Sequence, residues 1–533
     1  MATACYLTFF ALVFMVLPVV AENRVVSAES IQEQLAKSVQ GSQDNVAQTN
    51  LRRFYAQRNY QPVWTLADHA TLQDTALMLI KRADEEGLSS NDYRIESLRQ
   101  RRDETPDQVS LAFELDLTRS LLALAHDLRS GRLVASLADP DWHIPQQQFD
   151  PVMFLQQAVT SGKLEEAFAD LPPGIPQYRS LKQLLLKFRA LMATGIVWAR
   201  IPEGASSIHP RTSHAFIPLI RQRIQEAYRI FERPEYDVAD SDSEFYDDQL
   251  EGAVKVFQRQ YGLNADGIIG KNTRQALDMT PDEHIRQLRI SLERLRWLPR
   301  KLGNRYILVN IAGFYLVAVQ DNARVFGMRI VVGRDYRSTP SFNSRISHLV
   351  LNPYWNIPTS IARKDLLPKQ RNNPGYFASE GIRVFSDYQY ESELDPDSID
   401  WYSVNHFPYV LRQDPGRKNA LGTIKFMFPN PFSIYLHDTP SKYLFQKDIR
   451  AFSSGCIRLE KPLQLAEFVL GKSFERADIA ERIRSGKTQT VNLSERVPVY
   501  LLYLTAWSNG QGEVYFSSDV YGRDRRALAY ARW

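Results

Sequence analysis

The sequence predicts a multidomain α+β protein: a mainly helical N-terminal region, a small helical module, and a mainly β C-terminal domain carrying an insertion. Three observations lead there. The chain has 533 residues, more than one core fills, and at roughly 150 residues per domain it should hold several units. Up to about residue 235 apolar side chains recur at helical spacing, whereas from Arg305 they run in strand-like stretches. The composition is ordinary, with 44% hydrophobic, 24% charged and 11% aromatic residues, which excludes a disordered chain, a collagen-like repeat and a polytopic membrane protein. Lys and Arg number 65 against 61 Asp and Glu, a net charge of +4, and no basic run is interleaved with aromatics. Nothing therefore points to nucleic acid.

Residues 1–21 form a low-polarity run ending in Val19-Val-Ala21, expected to act as an export signal or a retained membrane anchor. Residues 22–45 are polar and read as a tether. Helical periodicity follows over 46–235, for example at Leu111, Leu115, Thr118, Leu122 and Ala125, with Gly131 placed to end that helix. No acids, histidines or glycines group chemically there, so the region reads as a scaffold. An acidic, turn-rich boundary at 236–244 precedes a helical hairpin over 245–280. In it Leu250, Val254 and Phe257 share a face, Gly262 ends the first helix, Asp266-Gly267 turns, and Thr273 opens the second. Residues 281–300 read as a linker helix. The β domain, 301–485, starts with Tyr306–Ile311, Phe314–Val319 and Gly327–Gly333, with further strands near 346–351, 423–428 and 432–437. Its stretch 353–420 is rich in Pro, Asn and aromatics with little regular pattern, and reads as a lid or an ordinary surface elaboration. Residues 486–533 are expected to close the chain, with 497–504 and 512–516 as a hairpin.

The chain has two cysteines, Cys5 in the leader and Cys456. With the leader gone, no intramolecular disulfide can form. A lone cysteine is most simply a buried, inert residue, but the surroundings of Cys456 differ. Gly422–His437 reads as two strands around Pro429-Asn-Pro431; Phe432, Ile434 and Leu436 alternate toward the core, which puts Ser433, Tyr435 and His437 on the other face. Cys456 follows Ser453-Ser-Gly455, and Pro462 begins a helix shortly after. A thiol on a glycine turn is exposed, lies near free backbone N–H groups and can meet a histidine.

Two resemblances extend this reading. The Phe257-Gln258 pair, Gly262-Leu263, Asp266-Gly267, Ile269-Gly270 and Thr273 resemble the peptidoglycan-binding repeat of cell-wall enzymes, although such a copy can persist as a packing module. Tyr435-Leu-His437-Asp-Thr-Pro440 with Ser453-Ser-Gly-Cys-Ile-Arg458 resembles the L,D-transpeptidase family, in particular its long periplasmic branch. Leu421-Gly-Thr-Ile-Lys-Phe426, Asn352–Pro358, Asn419–Gly422 and Phe54–Trp64 look like that branch too. Many members carry His where Ser454 stands, so here His437 alone would serve as base. The resemblance implies a catalytic group of Cys456, His437, Gly455 and Arg458, with Ser454, Tyr435, Trp355 and Asn419 lining the substrate site. Cys456 would attack the third-residue carbonyl of a tetrapeptide stem and release D-Ala, with the oxyanion on amides near Gly455 and Cys456. An amine of another stem would then take the acyl group. Family members orient the histidine with a backbone carbonyl. The Asp438 side chain is set aside because adjacent strand residues face opposite ways. Arg458 either favours the thiolate or belongs to a structural ion pair.

The implied partners are peptidoglycan stem peptides and glycan, with other cell-wall enzymes as further candidates, and the implied location is the periplasm. Two alternatives stay open: water as acceptor, giving a carboxypeptidase, or a wall-binding protein with a dead catalytic domain. No His-Glu-x-x-His, Cys-x-x-Cys, phosphate-binding loop or dinucleotide fingerprint occurs, so neither metal nor cofactor is indicated.

Overall fold

The structure, a computed structural model, describes residues 26–37, 45–66, 68–104, 110–202, 206–232, 242–404, 406–471 and 474–533. The leader at 1–21 and most of the acidic boundary at 236–244 lie outside the described residues. Among the described residues no helix is long and apolar enough to cross a membrane. The described part of the expected tether is ordered: Ala28–Lys37 is a helix whose Ile31 and Leu35, one turn apart, are buried.

The chain divides into two units. The first comprises residues up to Lys81, Ser90–Ala123 and Pro151–Glu165, and its regular elements among the described residues are all helices. Its Phe54–Trp64 stretch leaves the helix Val46–Ala56 through Asn59 and Tyr60, both at positive φ. Three amides left without a helical partner, those of Val63, Trp64 and Thr65, donate to the buried Glu114 carboxylate at 2.7, 2.9 and 3.0 Å, and the Tyr55 hydroxyl adds a bond of 2.8 Å. One acidic side chain thus satisfies a whole turn of backbone.

The second unit holds the remainder, including the hairpin of helices Asp248–Gln260 and Lys271–Asp278. Gln258, 1% exposed, accepts from Gly267 N (2.9 Å) and donates to Ile268 O (2.9 Å) and Asp266 Oδ1 (3.1 Å). The glutamine of the Phe-Gln pair therefore shapes the turn. The helix Pro281–Arg296, entered through a Thr280/Glu283 capping box, reads as a linker in sequence, yet residues 290–298 are all buried. It is a core element.

The β domain centres on a nine-stranded sheet, ordered β11-β3-β12-β10-β9-β4-β13-β1-β2. Its strands are β1 Arg305–Asn310, β2 Tyr315–Gln320, β3 Ala323–Gly333, β4 Phe342–Leu351, β9 Ile424–Met427, β10 Leu436–His437, β11 Ala451–Ser453, β12 Ile457–Leu459 and β13 Gln489–Leu502. β2 pairs back onto β3, closing eight of the nine strands into a ring, while β11 pairs with β3 alone. Alternate residues, such as Ile307 and Val309 in β1, fill the interior core. Tyr306 and Leu308 face the other way, into the core that holds the helix Pro281–Arg296. The near-continuous apolar run in β1 reflects burial on both faces.

Three elements differ from the sequence reading. β13 lies inside the sheet, parallel to β1 and antiparallel to β4, so 497–504 does not form the closing hairpin. That hairpin is β14 (Ala506–Ser508) with β15 (Val514–Phe516). The expected strand 432–437 shrinks to Leu436–His437, because Asn430 Oδ1 takes the Phe432 and Ile434 amides that a ladder would need. Finally, 353–420 is regular: β5 (Trp355–Ile357), β6 (Ile382–Phe385), β7 (Glu393–Leu394) and β8 (Val410–Gln413) form a sheet ordered β5-β8-β6-β7. It carries its own core around Phe377, Trp401 and Leu411.

Candidate active site

The site forms where β9, β10 and β12 run side by side. Register pairs His437 with Lys425 across β9/β10 and with Arg458 across β10/β12. Paired residues point to one face, so Lys425, His437 and Arg458 make a row. Cys456 precedes β12 by one residue. All four line a cleft of about 670 Å³, together with Ser433, Tyr435 and Ser454 on the β-domain side and Trp355 and Asp365 on the insertion side.

The loop bearing Cys456 is tightly held. Ser453 Oγ donates to Cys456 O at 2.6 Å and accepts from Gly455 N at 3.1 Å. Thr339 Oγ1 donates to Gly455 O at 2.8 Å. Gly455 has φ +114, and a Cβ on Gly333 beneath it would sit 2.1 Å from Arg337 O, so two glycines allow β3 and the loop to touch. Gly455 thus shapes the loop, but its amide is occupied. The expected pair of oxyanion donors shrinks to the Cys456 amide, which has no partner among the described residues.

His437, 4% exposed, donates from Nδ1 to the backbone carbonyl of Asp438 at 2.5 Å, leaving Nε2 to face the cleft as an acceptor. The Asp438 carboxylate is occupied elsewhere, accepting from Thr423 N, Thr423 Oγ1, Thr439 N and Lys442 Nζ. Its carbonyl does the orienting, which side-chain alternation does not reveal. Burial first, and then the Arg458 charge, push the His437 pKa down to about 3. Cys456 is half-buried; desolvation raises its thiol pKa, opposed by Tyr435, Lys425 and Arg458. At neutral pH the resting pair is therefore neutral imidazole and neutral thiol, whose Sγ lies 3.8 Å from Ser433 O.

Of the sequence-derived site residues, the cleft brings together Cys456, His437, Arg458, Ser454, Tyr435 and Trp355. Asn419 is absent from its lining. It is 1% exposed and ties the turn before β9, donating to Pro353 O (3.0 Å) and Asp414 O (2.9 Å) and accepting from Leu421 N (2.8 Å). Arg458 makes no ion pair among the described residues, so the ion-pair reading falls away. Ser454 Oγ accepts from Arg337 Nη1 at 2.8 Å, and the same nitrogen pairs with Asp365 at 2.5 Å. The sequence reading gives no role to Lys425, Arg337 or Ser453. Lys425 was within reach, as the one charged residue opposite the core-facing Ile424 and Phe426.

Comparison with known proteins meets this geometry. Residues 304–499 match the family model described as "L,D-transpeptidase catalytic domain". Over those residues the chain is similar to L,D-transpeptidase catalytic domains. Residues 49–185 match a "Scaffold domain" and 221–277 a "Putative peptidoglycan binding domain". A curated protein of Haemophilus influenzae named "Putative L,D-transpeptidase" is 37% identical over 273 residues, spanning 49% of this chain and 54% of that protein. This chain thus covers about half the length of that relative. Solved L,D-transpeptidases from Xylanimonas cellulosilytica and Stackebrandtia nassauensis align at 13% and 12% identity with TM-scores of 0.19 and 0.23. Those alignments cover 57% and 56% of this chain and 100% and 96% of the solved ones. In the matched region the cleft gathers a thiol, an imidazole and, among the described residues, an amide without a partner.

Proposed function

We propose that the protein is a peptidoglycan L,D-transpeptidase acting outside the cytoplasm, where its substrate lies. What carries this reading is the shared cleft of Cys456 and His437, with the histidine tautomer set by Asp438 O. Nε2 of His437 takes the thiol proton as Sγ attacks the third-residue carbonyl of a tetrapeptide stem. The tetrahedral oxyanion rests on the Cys456 amide, in the field of Lys425 and Arg458. Collapse expels D-Ala, whose nitrogen receives the proton from His437. The side-chain amine of a second stem then attacks the thioester, loses its proton to His437, and Cys456 is regenerated. The insertion acts as a lid: Asp365 meets Arg337, which also holds Ser454 beside the nucleophile, so lid position and nucleophile loop share one cation.

The test incubates the protein with purified disaccharide-tetrapeptide and reads products by mass spectrometry, beside Cys456→Ala. A dimer lacking one D-Ala, absent with the variant, is the expected result. Tripeptide alone makes water the acceptor; no Cys456-dependent product sinks the reading.

A further inference from the structure

A second cleft, of about 430 Å³, shares no lining residue with the thiol cleft. Its walls are the loop between the helices of the 245–280 hairpin, the β1–β2 turn, β3, the segment 445–450 and the β14–β15 hairpin. Asp448 ties the helical hairpin to the β domain, accepting from Asn264 N at 2.6 Å and Asn272 Nδ2 at 3.1 Å. The cleft is therefore built from both elements.

Its charge is one-sided. Arg259, Arg324, Arg329, Lys447 and Arg450 line it, and no carboxylate does. Arg329 is paired with Glu460, but among the described residues the other four make no ion pair. Arg450 is the telling one. It is 7% exposed, its Nη groups donate only to the backbone carbonyls of Lys447 (2.7 Å) and Phe314 (3.3 Å), and its Nε has no partner. A buried guanidinium with no carboxylate at ion-pair distance is costly: burial first, and then the nearby Arg329 charge, pull its pKa to about 10, which the Glu460 and Asp448 charges only partly oppose. A ligand anion reaching this floor would relieve that cost.

The other walls suit a sugar ring. Trp507 stands between Tyr515 and Tyr315, with ring centroids 5.9 and 5.4 Å away. Gly313 passes close to the largely buried indole, since a Cβ there would come 3.1 Å from Trp507 Nε1, which has no hydrogen-bond partner among the described residues. Through Gly262 and Gly313 the cleft runs on into an apolar trough of about 250 Å³ lined by Leu263, Met279, Phe314 and Phe516. Apolar and aromatic surface with a few directed polar groups is the usual make-up of a small-ligand site.

We propose that this cleft binds an anionic sugar, a pyranose carrying a carboxylate or a phosphate, with the anion toward Arg450 and the ring against the Trp507 side. The site does not use the thiol, so the inference stands or falls apart from the acyl-transfer reading.

The experiment measures binding by calorimetry on the full chain carrying Cys456→Ala, which removes turnover. Four probes are compared: the N-acetylglucosamine–N-acetylmuramic acid disaccharide, N-acetylglucosamine 1-phosphate, neutral chitobiose and inorganic phosphate. The proposal expects one of the acidic sugars to bind at least about tenfold more tightly than chitobiose and than phosphate alone. Which acidic sugar wins distinguishes carboxylate from phosphate recognition. Arg450→Lys tests the floor, and because a core change can disturb folding, the exposed pair Arg259→Glu and Lys447→Glu tests the rim. Each rim variant is expected to weaken the preferred sugar about tenfold and to flatten its salt dependence. Equal binding of chitobiose, equal binding of bare phosphate, or undiminished affinity in both rim variants overturns the proposal.

Discussion

Lys425, His437 and Arg458 occupy one cross-strand row, so two cations flank the imidazole proposed to accept a proton. Their charges and burial keep His437 neutral down to about pH 3, well below the ordinary histidine range. The pH profile of acylation should accordingly lack an inflection near the usual histidine pKa of about 6.5, and kcat/KM should hold level from about pH 5 to about pH 8. An acid limb centred near the ordinary histidine value would contradict the assigned environment. The thiol is the mirror case. Burial raises its pKa while Tyr435, Lys425 and Arg458 pull it back, so Lys425→Met should raise it further. Alkylation of Cys456 at about pH 8 should slow several-fold in that variant, whose midpoint moves to higher pH. His437 and Cys456 were legible because their residue types and loop carry chemistry that a motif preserves. Lys425 acquires meaning only from register, which places it opposite His437.

Gly422, with φ +61, lies where β9 begins, and a Cβ there would come 2.4 Å from the Asp438 carboxylate carbon. Asp438 in turn orients His437 through its carbonyl. Gly422→Ala should therefore lose about 1–2 kcal/mol from left-handed backbone alone. It should also lower kcat by shifting Asp438, so thermal denaturation and turnover should fall together. In the helical scaffold, Glu114→Ala strips an acceptor from three backbone amides and should cost about 3 kcal/mol or more of that unit's stability. Hydrogen exchange at Val63, Trp64 and Thr65 would report it, and unchanged protection there would refute the role. The Phe54–Trp64 motif was visible in the sequence, but its partner Glu114 lies about fifty residues on, beyond any local pattern. The strand expected at 432–437 failed for a similar reason, since alternation read its faces and the Asn430 side chain took the amides that would have extended it.

Across the β domain, Arg337 joins the insertion to the Cys456 loop, bonding both Asp365 and Ser454. Asp365→Asn should weaken that tie and admit water, raising the ratio of tripeptide to cross-linked dimer in the product mixture. An unchanged ratio would detach the insertion from acceptor choice. At this scale the sequence by itself determined the change from helical to strand periodicity, the α+β class and the thiol–histidine motif, because each is written in local spacing and residue type. Only the tertiary structure decided that β13 runs inside the sheet, that 353–420 has a sheet and core of its own, and that Asn419 is buried behind a turn whose Ala420 and Leu421 line the cleft. It alone also placed two differently built clefts in one unit, one around a thiol and one around a guanidinium that no carboxylate pairs directly. The physical reason is that pairing partners, burial and counter-charges are set by residues far apart in the chain, and a linear pattern carries no term for them.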